Sequence, residues 1–146
     1  MSEVYEYFQQ GRLHLKKGMA AQATVPLEKA KRREPNKASI RESLGIAYFR
    51  IGRYEEAAAE FRAMLELSPA DDYAHYALGR CLEKQGRAAE ANGHYKLASS
   101  LRPQSKQYAE RVRDLEETPR GRRKGSDPAV EAARRPNRKG SDPSGV

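Results

Sequence analysis

Three consecutive blocks of the chain, residues 4–37, 38–71 and 72–105, align without a gap at a period of 34 residues. Glycines coincide at Gly11, Gly45 and Gly79, and again at Gly18, Gly52 and Gly86. Ala23, Ala57 and Ala91 share a column, as do Pro35, Pro69 and Pro103. Leu27, Phe61 and Tyr95 form a column of large residues, and Ala30, Met64 and Ala98 one of small to medium residues. Nothing else constrains the fold as much. A unit this short cannot bury its own hydrophobic face, so its copies must stack side by side into a solenoid.

Each block reads as two helices and a turn. In the middle block, ASIRESLGIAYFRIG places Leu44, Ala47, Tyr48 and Ile51 on one face at helical spacing. Gly52 supplies the backbone freedom that ends this helix. RYEEAAAEFRAMLELSP follows with Ala57, Phe61, Met64 and Leu65 as its stripe, closed by Pro69. Gly45 and Gly79 sit inside first helices, where each costs about 1 kcal/mol relative to Ala. Close approach of the partner helix is the expected reason. Pro26 breaks the pattern: inside the second helix of the first block it removes a hydrogen bond and costs about 3 kcal/mol. A kink or a frayed start near Ala23–Pro26 is expected. Residues 106–117, KQYAERVRDLEE, put Tyr108, Val112 and Leu115 on one face, as a helix capping the last repeat would. Thr118-Pro119 ends it.

The pattern LGxxYxxxGxxxxAxxxF…P, met in Leu44, Gly45, Tyr48, Gly52, Ala57, Phe61 and Pro69, resembles the tetratricopeptide repeat (TPR). The third block keeps Leu78, Gly79, Gly86, Ala91, Tyr95 and Pro103. The first keeps Gly11, Gly18, Ala23, Ala30 and Pro35. The resemblance implies an all-α fold, a right-handed superhelical solenoid of antiparallel helix pairs. It also implies a concave inner wall built mainly from each block's first helix. The inward places are then Tyr5, Phe8, Arg12, Leu15 and Lys16; Ser39, Glu42, Ile46, Phe49 and Arg50; and Tyr73, Tyr76, Arg80, Glu83 and Lys84. Aromatic rings alternating with basic groups suit an extended, acidic peptide, because rings supply buried area and guanidinium groups bind carboxylates bidentately. Arg12, Arg50 and Arg80 would form a ladder along successive first helices. The carboxylate clamp of heat-shock cochaperones in this family uses a Lys/Asn/Asn/Lys/Arg set. Phe8, Arg12, Ser43 and Tyr73 stand at four of those places and Ala77 at the last, so that clamp is not expected.

Beyond residue 117 the composition changes. Residues 118–146 carry eight Lys/Arg against three Asp/Glu, most of the chain's net charge of +8, with almost no apolar residue. Such a segment cannot offset its ordering entropy and is expected to be disordered. The string RKGSDP occurs twice in it, at 123–128 and 138–143. A tolerated, duplicated spacer is one reading. Two docking copies about 20 Å apart, phosphorylation at Ser126 and Ser141, and charge-driven contact are the others. The last would use Arg122, Arg123 and Lys124, then Arg134, Arg135, Arg138 and Lys139, on nucleic acid or an anionic surface.

Enzyme chemistry is not expected, and neither is a cofactor. His14 lies in the first block and His75 and His94 in the third, with no HExxH spacing, and there is no GxxxxGK[ST] or GxGxxG loop. Cys81, the only cysteine, excludes an intramolecular disulfide and reads as a small core residue. No signal peptide or membrane-length apolar run is present, so the expectation is a cytoplasmic protein. The leading expectation is a non-catalytic adaptor or scaffold that binds a peptide or protein in the concave groove. The alternatives are a chaperone for a secretion or assembly substrate, and a nucleic-acid-associated protein that uses its tail.

Overall fold

The computed structural model describes residues 2–117. The expected disordered tail, its basic clusters and both RKGSDP copies lie outside the described residues. Seven helices follow one another, with no strand among the described residues: α1 (Glu3–Lys16), α2 (Ala20–Arg33), α3 (Ala38–Arg50), α4 (Tyr54–Leu67), α5 (Asp72–Lys84), α6 (Ala88–Leu101) and α7 (Lys106–Glu117). They pack as the pairs α1/α2, α3/α4 and α5/α6, each pair stacking on the next, and α7 lies against α6. First helices also meet directly, α1 against α3.

Local chemistry explains the helix ends. The side chains of Ser2 and Asp71 accept hydrogen bonds from the Tyr5 and Ala74 amides at 3.2 and 3.0 Å, and so cap α1 and α5. Ser105 does the same for α7 through the Tyr108 amide. Inside each pair the turn is the same device. Gly52 sits at φ +80°, and the Arg53 amide donates back to the Tyr48 carbonyl at 2.9 Å. That six-to-one bond satisfies a carbonyl that the end of the helix would otherwise leave open.

Packing within the pairs turns on the other glycine column. A Cβ on Gly11 would lie 2.4 Å from Leu27 Cγ, and one on Gly45 2.7 Å from Phe61 Cζ. Leu27, Phe61 and Tyr95 are completely buried against these glycines. Around them Ala23, Leu44, Ala47, Ala57, Met64, Ala74, Leu78, Cys81, Ala91 and Ala98 make one continuous core.

Of the two outcomes expected at Pro26, the frayed start is not seen. Helix α2 begins at Ala20 without fraying and runs continuously through Pro26, which is buried. As the seventh residue of the helix it leaves the Gln22 carbonyl without its amide donor. Its apolar ring also fills a position on the buried face. A second tie crosses the first two repeats: Glu60 on α4 is buried and accepts from Lys31 on α2 at 2.8 Å and Arg41 on α3 at 2.9 Å.

Candidate functional site

The inner-wall residues divide into two groups. At the N-terminal half, α1 and α3 open a groove of about 840 Å³ lined by Phe8, Arg12, Leu15, Lys16, Ile46 and Arg50 among others. Ser39, Glu42 and Ser43 complete its α3 side. The helical period explains the convergence: Phe8, Arg12 and Leu15 lie three to four residues apart on α1, as do Ser39, Glu42, Ser43 and Ile46 on α3. Three cations and one carboxylate therefore surround an apolar floor.

The two arginines are held differently. The Arg12 guanidinium is exposed and lies 5.6 Å from the centroid of the Phe8 ring. Arg50 is half-buried and donates from Nη1 to the Leu15 carbonyl at 3.3 Å, which fixes its direction across the α1–α3 seam. Its Nε is buried and has no hydrogen-bond partner among the described residues. Buried donors left unmatched are costly.

At the C-terminal half the wall is covered. Tyr73 and Tyr76 are 1% exposed and Arg80 is 2% exposed, and Phe49 is buried too. Tyr73 packs edge-on against Phe61, while Tyr76 lies between Tyr95 of α6 and Tyr108 of α7, with centroids 5.9 and 5.2 Å away. The Tyr108 hydroxyl donates to Asp72 on α5 at 2.7 Å, and Arg111 reaches Glu83 at 3.5 Å, so α7 closes over this face. Arg80 lies over the Phe49 ring at 5.7 Å and near Glu83 at 3.7 Å. The expected ladder of Arg12, Arg50 and Arg80 thus leaves only Arg12 and Arg50 in the open groove. Tyr5 and Lys84 are exposed but outside its lining.

One pairing inside the third block joins two histidines that lie 19 residues apart in the sequence. His75 on α5 and His94 on α6 bring their Nδ1 atoms to 3.1 Å. Among the described residues no three His, Cys, Asp or Glu side chains cluster as a metal site would require. Cys81 is fully buried, and burial pushes its thiol up to about 12.

A solenoid of 34-residue helix pairs with glycine at the contact and proline at the exit can be compared directly with known proteins. The tetratricopeptide repeat family profile matches residues 8–72 and 44–106. The chain belongs to the tetratricopeptide repeat family. Superkiller complex protein 3 of Mus musculus is 32% identical over 98 residues, which is 67% of this chain but only 6% of that protein. The "Tetratricopeptide repeat and J domain-containing co-chaperone DNJ1" of Fusarium oxysporum f. sp. lycopersici is 31% identical over 97 residues, 66% of this chain and 18% of that one. This TPR chain therefore spans a small part of the curated relatives it matches. Among solved structures, the first TPR of Spaghetti (RPAP3) bound to the HSP90 peptide SRMEEVD superposes with a TM-score of 0.76. It shares 17% identity, with 82% of this chain and 94% of that one covered. At that identity the likeness is one of fold: the right-handed TPR superhelix of antiparallel pairs. No helix among the described residues is long and apolar enough to cross a membrane.

Proposed function

We propose that this TPR chain is a non-catalytic adaptor or scaffold that holds an extended, acidic segment of a partner protein in the open half of its groove, between α1 and α3. One observation carries the reading: Arg12, Lys16 and Arg50 ring an apolar floor of Phe8, Leu15 and Ile46, with Glu42 the one carboxylate in the lining. Apolar side chains of the partner would supply buried area and its carboxylates would take the guanidinium donors that Arg12 and Arg50 turn to the groove. A TPR of the same fold that holds an HSP90 peptide supports peptide binding as the role. A cytoplasmic setting and the absence of catalysis belong to the same proposal. TPR folds generally serve as interaction modules, and the sequence carries no nucleotide loop or zinc motif. Likeness to a J-domain co-chaperone favours, as a second reading, a chaperone-accessory role for the same groove.

Fluorescence anisotropy with acidic and basic peptides of equal length tests the binding surface. Arg12→Glu is the cleaner variant, because Arg12 is exposed and carries no buried hydrogen bond. Losing one charge-assisted contact of about 1.5–3 kcal/mol weakens acidic-peptide binding by about tenfold to a hundredfold. Equal affinity for acidic and basic peptides, or unchanged binding in Arg12→Glu and Arg50→Glu with the helix content intact, rejects the groove as the site.

A further inference from the structure

The third repeat replaces an ion pair of the second with two histidines. Arg41 and Glu60 stand 34 residues before His75 and His94, and the wiring around both pairs is the same. Arg41 Nη1 meets Glu60 Oε1 at 2.9 Å, and its Nε donates to the Pro35 carbonyl at 2.8 Å. His75 Nδ1 meets His94 Nδ1 at 3.1 Å, and its Nε2 lies 2.9 Å from the Pro69 carbonyl. Pro35 and Pro69 are themselves equivalent. In both repeats the first helix is tied to the second helix and to the turn that precedes it. The second repeat does this with fixed opposite charges. The third does it with two imidazoles.

The protons can be placed. A carbonyl only accepts, so His75 Nε2 carries a hydrogen toward Pro69. Neutral His75 then offers a bare Nδ1, and His94 must donate its own Nδ1–H to it. The remaining basic site is His94 Nε2. The ring centroids are 5.4 Å apart and the planes tilt by 25°, so the rings meet edge to edge along the N···N line. That line is an N–H···N hydrogen bond. A metal ion held at about 2.0–2.1 Å from each nitrogen would need them about 4 Å apart on it.

We propose that the His75–His94 pair is a proton-operated latch, closed when both rings are neutral, that loosens the third repeat and its joint to the second on acidification. The first proton enters at His94 Nε2 and puts a charge into the seam. A second would occupy the His75 nitrogen that accepts the hydrogen bond, and so would break it. The titratable and charged groups facing His94 are His75 on α5, Arg62 on α4 and Glu90 on its own α6. Arg62 opposes protonation, and Glu90 offers little relief because both its oxygens are taken by Arg87 at 2.7 and 2.9 Å. Burial, then His75 and Arg62, hold the His94 imidazole below its ordinary 6.5. The unfolded chain therefore binds more protons than the folded one from about that pH downward. Stability present above 6.5 is lost as pH falls through the folded value.

Urea unfolding of the full chain at pH 7.5 and pH 5.5 tests the latch, in a window above the titration of ordinary carboxylates. The comparison is with His75→Arg/His94→Glu, which copies the Arg41–Glu60 pair into the third repeat. His94→Gln is the second variant, since its amide can donate to His75 Nδ1 without titrating. His14 remains in every variant as a common background. The native chain is expected to lose midpoint at pH 5.5 while at least one folded variant loses clearly less. The His94 ring signal in NMR is expected to titrate below 6.5. An equal midpoint loss in native chain and folded variants, or a His94 titration at or above 6.5, overturns the proposal.

Discussion

A Cβ placed on Gly79 would lie 2.6 Å from Cε1 of Tyr95, closer than packed side chains approach. The ring has nowhere to go: Tyr95 is completely buried and its hydroxyl donates to Glu83 at 2.7 Å. Gly79→Ala should therefore destabilise the chain by about 1–2 kcal/mol, because the strain of overpacking exceeds the helix propensity gained. Gly93, inside α6, has nothing within 4 Å of the same construction. Gly93→Ala should instead stabilise by about 0.5–1 kcal/mol. Urea midpoints of the two variants, moving in opposite directions, check both. A stabilised Gly79→Ala would mean that the glycine column is not a packing column.

The contrast also shows where sequence reasoning carried. Three glycines at the same offset inside helices announced close contact before any coordinates, and Leu27, Phe61 and Tyr95 supplied the partner column. Periodicity names the face on which a residue lies but not what covers that face. Phe8 and Tyr76 occupy comparable inward places. Phe8 lines open space, whereas Tyr76 is shut in by Tyr108, a residue 32 positions further on. The charge on Arg80 gave no hint of its burial either, since long side chains lay their stems along apolar surface. The histidine pair left a usable signal. Reading the columns for chemistry as well as size would have set His75 and His94 under Arg41 and Glu60.

Glu60 should be a stability determinant out of proportion to its place on a helix surface. Its side chain is 6% exposed, against 22% and 20% for Lys31 and Arg41. Glu60→Gln takes the carboxylate from Arg41 and leaves Lys31 only Glu28, at 3.3 Å. The expected loss is about 2 kcal/mol, less than for a fully buried pair, because both cations retain some water. The exposed Arg53–Glu56 pair, at 2.6 Å, is the control: Glu56→Gln should leave the urea midpoint unchanged. Equal shifts at the two sites would remove the argument from burial.

Tyr108 should decide whether α7 stays docked. Tyr108→Phe deletes the hydroxyl's bond to Asp72, which keeps Arg102 as a partner at 3.2 Å, so a loss of about 1 kcal/mol is expected. Tyr108→Ala also removes a buried ring against Tyr76 and should cost about 3–5 kcal/mol. Amide hydrogen exchange locates the effect: α7 and the inner face of α5 should lose protection while α1 and α2 keep theirs. Uniform loss along the chain would show that the cap is not a separable layer.

Cys81 offers a probe of how the third repeat opens. Its thiol, pushed up to about 12 by burial, is ionised to only about one part in ten thousand at pH 8. It is also sealed from solvent on α5. A thiol reagent should therefore leave the folded chain unmodified and react at the ordinary rate in urea. Any slow labelling under native conditions then reports opening of α5, and its rate should rise in Gly79→Ala in step with the lost stability. Rapid labelling of the native chain would place Cys81 at an accessible surface and contradict the packing of α5 between α4 and α6.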